Sequence, residues 1–214
     1  MNVSPQPGSF HIPDRRGPRA RTARLMLDTA VRMMQAGEVP SVTAVAEAAG
    51  VSRATAYRYF PSQAALVHAV VDEALGPILD WTSDSSDPET RVGALLETSL
   101  PRIDEFEATF RAALKHSLVE WAEQKAGAGT NGEPRFKRGH RVELLRSALA
   151  PLQPRLSAPA LDRLAKALSL VFGVETLVVL KDIWGADGDE AREVALWAAR
   201  AMLRAALAEA EACA

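Results

Sequence analysis

The 214-residue chain is 48% hydrophobic and 24% charged with a mean hydropathy of −0.05, and no apolar run reaches the ~18 residues of a membrane span, so the sequence reads as a soluble, core-forming protein. A net charge of −2 excludes a uniformly basic nucleic-acid binder, but it averages an uneven chain. Residues 1–70 hold eight arginines, no lysine and four acids, a balance of +4 that leaves −6 for the rest, which points to one localised polyanion-binding surface.

In chain order, residues 1–18 are rich in Pro, Gly and Arg; they read as a disordered basic arm and lack the apolar stretch of a secretory signal. From Ala20 the pattern turns helical: Met26, Leu27, Ala30, Met33 and Met34 follow 3–4 spacing to a stop at Gly37. Such a methionine stripe is far more often core than a ligand box. Ser41 caps a second helix with Val42, Val45, Ala46 and Ala49 inward and Gly50 at its end. Ser52 caps a third, closed by Phe60-Pro61, and Ser62 a fourth that carries Leu66, Ala69, Val70 and Leu75. Gly76-Pro77 and the Ser/Asp run 82–88 mark a boundary. Beyond it the pattern predicts helices over 89–100 (ended by Pro101), 103–124, 138–150, 159–183 and 189–211, with a loop from Gly127 to Pro134. Strand alternation is absent. The expected fold is all-α: an arm over 1–18, a helix-turn-helix domain over 19–75 and a helical effector-binding and dimerisation domain over 76–214. The lone Cys213 excludes an internal disulfide and fits a cytoplasmic protein.

The segment from Ser41 to Phe60 carries the chemistry. A helix-turn-helix needs two short helices crossing steeply through a tight turn. Ala46 is small enough for close approach, Gly50 supplies the turn, and Val51, Ala56 and Phe60 plug the gap. Arg53, Ala54, Thr55, Tyr57, Arg58 and Tyr59 are left to the outside. Arg53 has the fork to pair with a guanine edge, while Ala54 and the Thr55 methyl suit thymine methyls. Tyr57, Tyr59 and the Thr55 hydroxyl suit phosphates, with Ser41, Thr43 and Ser52 at the helix starts beside them. An ordinary helical hairpin with surface aromatics has the same spacing.

Val42-Thr-Ala-Val-Ala-Glu-Ala-Ala-Gly-Val-Ser-Arg-Ala-Thr-Ala-Tyr-Arg-Tyr-Phe-Pro-Ser-Gln-Ala-Ala-Leu66 resembles the TetR family of bacterial transcriptional regulators nearly throughout. The strong resemblance covers about residues 20–72. From Phe172-Gly-Val-Glu through Trp184-Gly and Trp197 the chain is similar to the family's C-terminal helix pair. The resemblance implies a homodimer, double-stranded palindromic operator DNA and release by a small molecule. The sequence departs from the family pattern twice: many members have glycine at the place of Ala54, and most have a phosphate-binding lysine at the place of Gln63. Gln63 can still donate a hydrogen bond. Arg15, Arg16, Arg19 and Arg21 can compensate, in the minor groove or along phosphates, unless they form a solvated tail.

For an unknown small-molecule effector, the expected pocket residues are Phe106, Phe110, His116, Glu120 and Trp121 on one helix side and Phe172 and Glu175 opposite, though each also suits a core or solvated role. His116 and Glu120 have metal-compatible spacing without a third ligand, so no metal or other cofactor is expected. Arg135, Lys137, Arg138, His140 and Arg141 form a basic patch suited to solvent or an acidic effector. Leu168, Val171, Val174 and Val178 form one stripe and Val194, Trp197 and Ala201 another; two such pairs would make an intermolecular four-helix bundle, and they serve equally as intramolecular core. Enzyme motifs are missing from the sequence. The leading reading is a ligand-released repressor; the alternative is a DNA-binding protein without small-molecule control, answering to a protein partner or marking chromosome sites.

Overall fold

The computed structural model describes residues 18–127 and 139–212. Residues 1–17 with Arg15 and Arg16, residues 128–134 of the expected loop, Arg135, Lys137 and Arg138 of the basic patch, and Cys213 lie outside the described residues. All regular structure among the described residues is helical, in ten α-helices without a strand. They group into two compact units: residues up to Glu73 with those from Ala108 to 127, and Ala74–Glu107 with those from 139 onward.

The first unit opens with α1 (Pro18–Gln35), α2 (Val42–Ala48), α3 (Arg53–Tyr59) and α4 (Gln63–Leu75). The α1 stripe goes inside as its spacing predicts: Met26, Leu27, Ala30 and Met34 are buried and Met33 half-buried. α1, α2 and α3 pack on one another, and Val42, Val45, Ala46, Ala56 and Phe60 fill the space with almost no exposure. Truncating a fully buried phenylalanine such as Phe60 costs about 3–5 kcal/mol. α2 and α3 are two turns each, too short to be stable alone, so their caps and this plug hold them. Ser41 Oγ accepts from the Ala44 N–H, Ser52 Oγ from the Thr55 N–H, and Ser62 Oγ from the Ala65 N–H at the start of α4. Gly50 takes φ +66, which lets its N–H reach the Glu47 carbonyl and the Val51 N–H reach the Ala46 carbonyl at 2.8 Å. Any residue with a Cβ would be strained there. The unit also includes α6 (Glu107–Lys125) from Ala108, which buries Thr109, Phe110, Ala112, Ala113 and His116.

The second unit begins with a 3₁₀ turn, Gly76–Asp80, followed by α5 (Pro88–Glu105), α7 (His140–Ala148), α8 (Ala158–Leu168), α9 (Val174–Leu177) and α10 (Gly188–Ala212). α5 runs along α10, burying Val92, Leu95, Leu96, Ser99, Leu100 and Ile103, while α10 turns Ala191, Ala195, Ala199 and Leu203 inward. Arg91, itself buried, ties the loop before α5 and the end of α7 together through the carbonyls of Ser83, Ser85, Ser147 and Ala148.

Two predicted boundaries are corrected. α5 does not stop at Pro101 but continues to Glu105 with that proline inside it. Proline removes one backbone donor without forbidding the turns on either side, and here it sits on the exposed side of the helix. The single helix predicted over 159–183 is broken. Ser169–Val171 is a 3₁₀ turn, Gly173 takes φ +141, α9 restarts at Val174, and Val178–Ile183 winds as a π-helix. The break needs glycine for its φ; the Arg141 guanidinium, 2.6 Å from where a Cβ would stand, is the end of a flexible side chain that can move aside.

Candidate nucleic-acid interface

α3 presents two unlike sides. Ala56 and Phe60 are fully buried, while Arg53, Ala54, Tyr57 and Arg58 are exposed and Thr55 and Tyr59 half-buried. The exposed four occupy positions one turn apart, so they form a single outward face. Tyr57 OH stands 3.5 Å from Thr43 Oγ1 of α2, which links the outer faces of the two helices across the turn. Ser52 Oγ donates to Thr55 Oγ1 at 2.9 Å, and the Thr55 hydroxyl keeps its own hydrogen to give. Ser41 and Ser52 are exposed caps at the two helix starts. The Arg58 guanidinium lies 5.4 Å from the centre of the Tyr59 ring.

The arginines of this unit divide by role. Arg24 pairs with Glu73 of α4 and with Asp28, each at 2.9 Å; its hydrogen bond to Glu73, against a smaller loss from burial, holds the guanidinium above its ordinary value. Arg32 donates to Thr29. Arg19, Arg21, Arg53 and Arg58 are exposed and form no ion pair among the described residues. Guanidinium heads without a carboxylate are available for phosphate or base edges, which they can bind in a two-pronged fashion. Gln63 behaves otherwise: its Nε2 donates to the carbonyls of Val39 and Pro40.

The expected pocket residues are divided between the units. In the first, Phe110 and His116 are buried, His116 Nε2 lies 3.5 Å from Glu120, and Trp121 is 60% exposed. In the second, Phe106 is half-buried under the Arg102 guanidinium, Phe172 is buried, and Glu175 pairs with Arg141 at 2.7 Å. An open groove of about 590 Å³ between the start of α8 and the end of α10, rimmed by the Arg163–Glu209 pair, is lined by none of these residues.

Of the two expected interface stripes, Leu168 and Val174 are buried and Val171 and Val178 half-buried, whereas Val194, Trp197 and Ala201 are exposed. The second unit also exposes Leu170, Val179, Ile183 and Trp184, with Trp184 and Trp197 more than 70% open. A stripe counted at helical spacing through Gly173 loses its phase where the helix breaks. The Phe172-Gly173 pair was the available signal for these four residues.

The comparisons agree with this geometry. Residues 26–70 match the model of bacterial regulatory proteins, tetR family. The fold is similar to that of a tetR-family transcriptional regulator from Streptomyces coelicolor, with a TM-score of 0.59 and 17% identity over 91% of this chain and 83% of that one. It is also similar to a TetR transcriptional regulator from Rhodococcus sp. RHA1, with a TM-score of 0.55 and 19% identity over 87% of this chain and 97% of that one. A search of curated proteins gave no match. No helix among the described residues is long and apolar enough to cross a membrane. On these matches, residues 26–70 are similar to the bacterial regulatory proteins of the tetR family, and most of the chain shares its fold with two solved TetR regulators.

Proposed function

We propose that the protein is a cytoplasmic repressor that docks as a homodimer on a palindromic operator and is released from it by a small molecule. The observation that carries the reading is the outward face of α3: Arg53, Ala54, Tyr57 and Arg58 exposed over a buried Ala56–Phe60 plug. Arg53 reads a guanine edge and Ala54 and the Thr55 methyl meet thymine methyls. Tyr57, Tyr59, Ser41, Thr43, Arg58 and the Thr55 hydroxyl, which Ser52 supports by donating to it, hold phosphates and fix the register, with Arg19 and Arg21 adding charge. The homodimer reading is supported by the apolar surface of the second unit, where Leu170, Ile183, Trp184 and Trp197 are each more than 70% exposed. A surface with this much open aromatic and aliphatic area suits a protein partner. Val194, Trp197 and Ala201 follow one another at helical spacing with small neighbours, as a helix-on-helix contact requires.

Selection of duplexes from a random library by the full-length protein, followed by footprinting, tests this. The expected result is a pseudo-palindrome with half-site centres about 34–36 Å apart, or a multiple of one DNA turn. An asymmetric single site bound by a monomer would overturn it. Screening metabolites for loss of that complex tests the release step, and a complex that no metabolite weakens would favour a regulator answering to a protein partner.

A further inference from the structure

Gln63 opens α4, and its side chain reaches back across the fold. Its Nε2 lies 3.3 Å from the Val39 carbonyl oxygen and 3.2 Å from that of Pro40. An amide nitrogen carries two N–H groups, so both donors of this side chain are engaged by neighbouring carbonyls of one loop. Pro40 is buried and Val39 and Gln63 half-buried, which partly shields the pair of bonds from water. That loop leads straight into Ser41, the cap of α2. Two residues further, Thr43 Oγ1 stands within reach of Tyr57 OH on α3. The start of α2 is therefore held from α4 by Gln63 and from α3 by Tyr57. α2 has only seven residues, so ties at its start set its angle more than its own two turns do.

We propose that Gln63 is a positioning residue of the DNA interface. By gripping Val39 and Pro40 it fixes the start of α2 against α4, keeps Ser41 and Thr43 in register with Arg53 and Tyr57, and takes no phosphate itself. A phosphate contact would require the amide to give up two bonds it already makes. The inference rests on α2 and α3 being the DNA-reading pair.

The experiment uses the full chain with Gln63→Ala and Gln63→Met, the latter keeping an apolar stem of similar length should the alanine variant fail to fold. Hydrogen exchange is followed without DNA, and affinity is measured for a duplex selected by the wild type and for a scrambled duplex of equal length. The expected result is exchange about tenfold faster at the Ala44 and Val45 amides, which bond to Ser41, with α1 unchanged, the size that two ordinary hydrogen bonds imply. Affinity for the selected duplex falls by about fivefold to tenfold while scrambled DNA changes by less than about twofold. Unchanged exchange with equal loss on both duplexes would make Gln63 a phosphate contact and overturn the proposal. Faster exchange with full discrimination would make it a tie without consequence for reading, and would overturn it too. A wild type with no preference for any duplex would instead defeat the DNA-reading assignment of α2 and α3, while the exchange data still report the tie.

Discussion

The two units treat arginine in opposite ways. In the second, every described arginine is engaged within the protein: Arg91 and Arg102 on backbone carbonyls, Arg141 on Glu175 and the Ser169 carbonyl, and Arg146, Arg155, Arg163, Arg192, Arg200 and Arg204 on carboxylates. In the first, Arg19, Arg21, Arg53 and Arg58 point to solvent without an ion pair among the described residues. Large apolar side chains are open on both units, with Leu118 and Trp121 at 57% and 60% on the first, but the most open, Leu170, Ile183, Trp184 and Trp197, each above 70%, all lie on the second. One unit leaves four guanidinium heads without an ion pair among the described residues, and the other carries the most open apolar side chains. Net charge alone hides this, because paired and unpaired arginines count the same.

The largest expected effect comes from breaking the apolar surface. Trp184→Glu with Trp197→Glu should give a monomer by sedimentation and lower operator affinity about 100- to 10,000-fold, the range that coupling two sites through one partner supplies. Affinity for a single half-site should stay within about threefold of the wild type. A double variant that remains dimeric would move the interface elsewhere.

Next in size is Arg53→Ala, expected to cost about 1–3 kcal/mol of operator binding and to relax preference at one base pair in each half-site. Arg204→Ala is the matched control from the other unit. Its guanidinium is exposed too, but Glu89 already holds it at 2.8 Å, so operator affinity should not change. Equal losses from both would show that exposed positive charge, not freedom from a carboxylate, decides DNA binding.

These contrasts also show which features were legible in the sequence. The first unit was readable because its determinants are local: Ser41, Ser52 and Ser62 cap the helices they precede, Gly50 turns, and Ala46, Ala56 and Phe60 plug within twenty residues. The second unit was readable in class only. Pro101 suggested a stop that the helix ignores, and a stripe counted from Leu168 to Val178 runs across the break at Gly173. Which face a helix buries depends there on partners distant in sequence, such as α5 against α10. Gln63 was visible as a donor, but its acceptors lie 23 and 24 residues away in a loop without a pattern of its own.

A middling effect is expected where a lysine is enclosed by acids. Lys181 in the π-helical turn donates to Asp104 and to Glu107, the latter at 2.8 Å. Burial pulls its ammonium down, but the hydrogen bonds to Asp104 and Glu107 outweigh that and hold it above its ordinary 10.5. Stability from a raised lysine is fully present below its unfolded value and is lost as pH rises through the folded one. Lys181→Met should therefore destabilise the protein by about 1–2 kcal/mol at neutral pH, short of the 3–5 kcal/mol of a fully buried pair. The deficit against wild type should shrink above about pH 10.5. A deficit independent of pH in that range would assign the loss to packing.

The smallest expected effect lies at the start of α5, at the acid end of the scale. Asp87 caps that helix: its Oδ2 accepts from the Thr90 hydroxyl at 2.6 Å and the Thr90 N–H at 2.7 Å. Hydrogen bonding from the Thr90 hydroxyl, then from the Thr90 N–H, holds the carboxyl below its ordinary 3.8. A lowered carboxylate contributes stability that is present above its unfolded value and lost as pH falls through the folded one. The contribution should therefore be complete at neutral pH and fade from about pH 4 downward. Asparagine caps helices about as well as aspartate and does not titrate in this range. Asp87→Asn should leave the neutral-pH melting temperature almost unchanged and make the acid limb of the melting curve shallower, while operator affinity at neutral pH stays at the wild-type value. Superimposable acid limbs for the two proteins would mean that the ionised cap adds nothing over a neutral one. A large loss at neutral pH would mean that the charge itself, not the cap geometry, holds the start of α5.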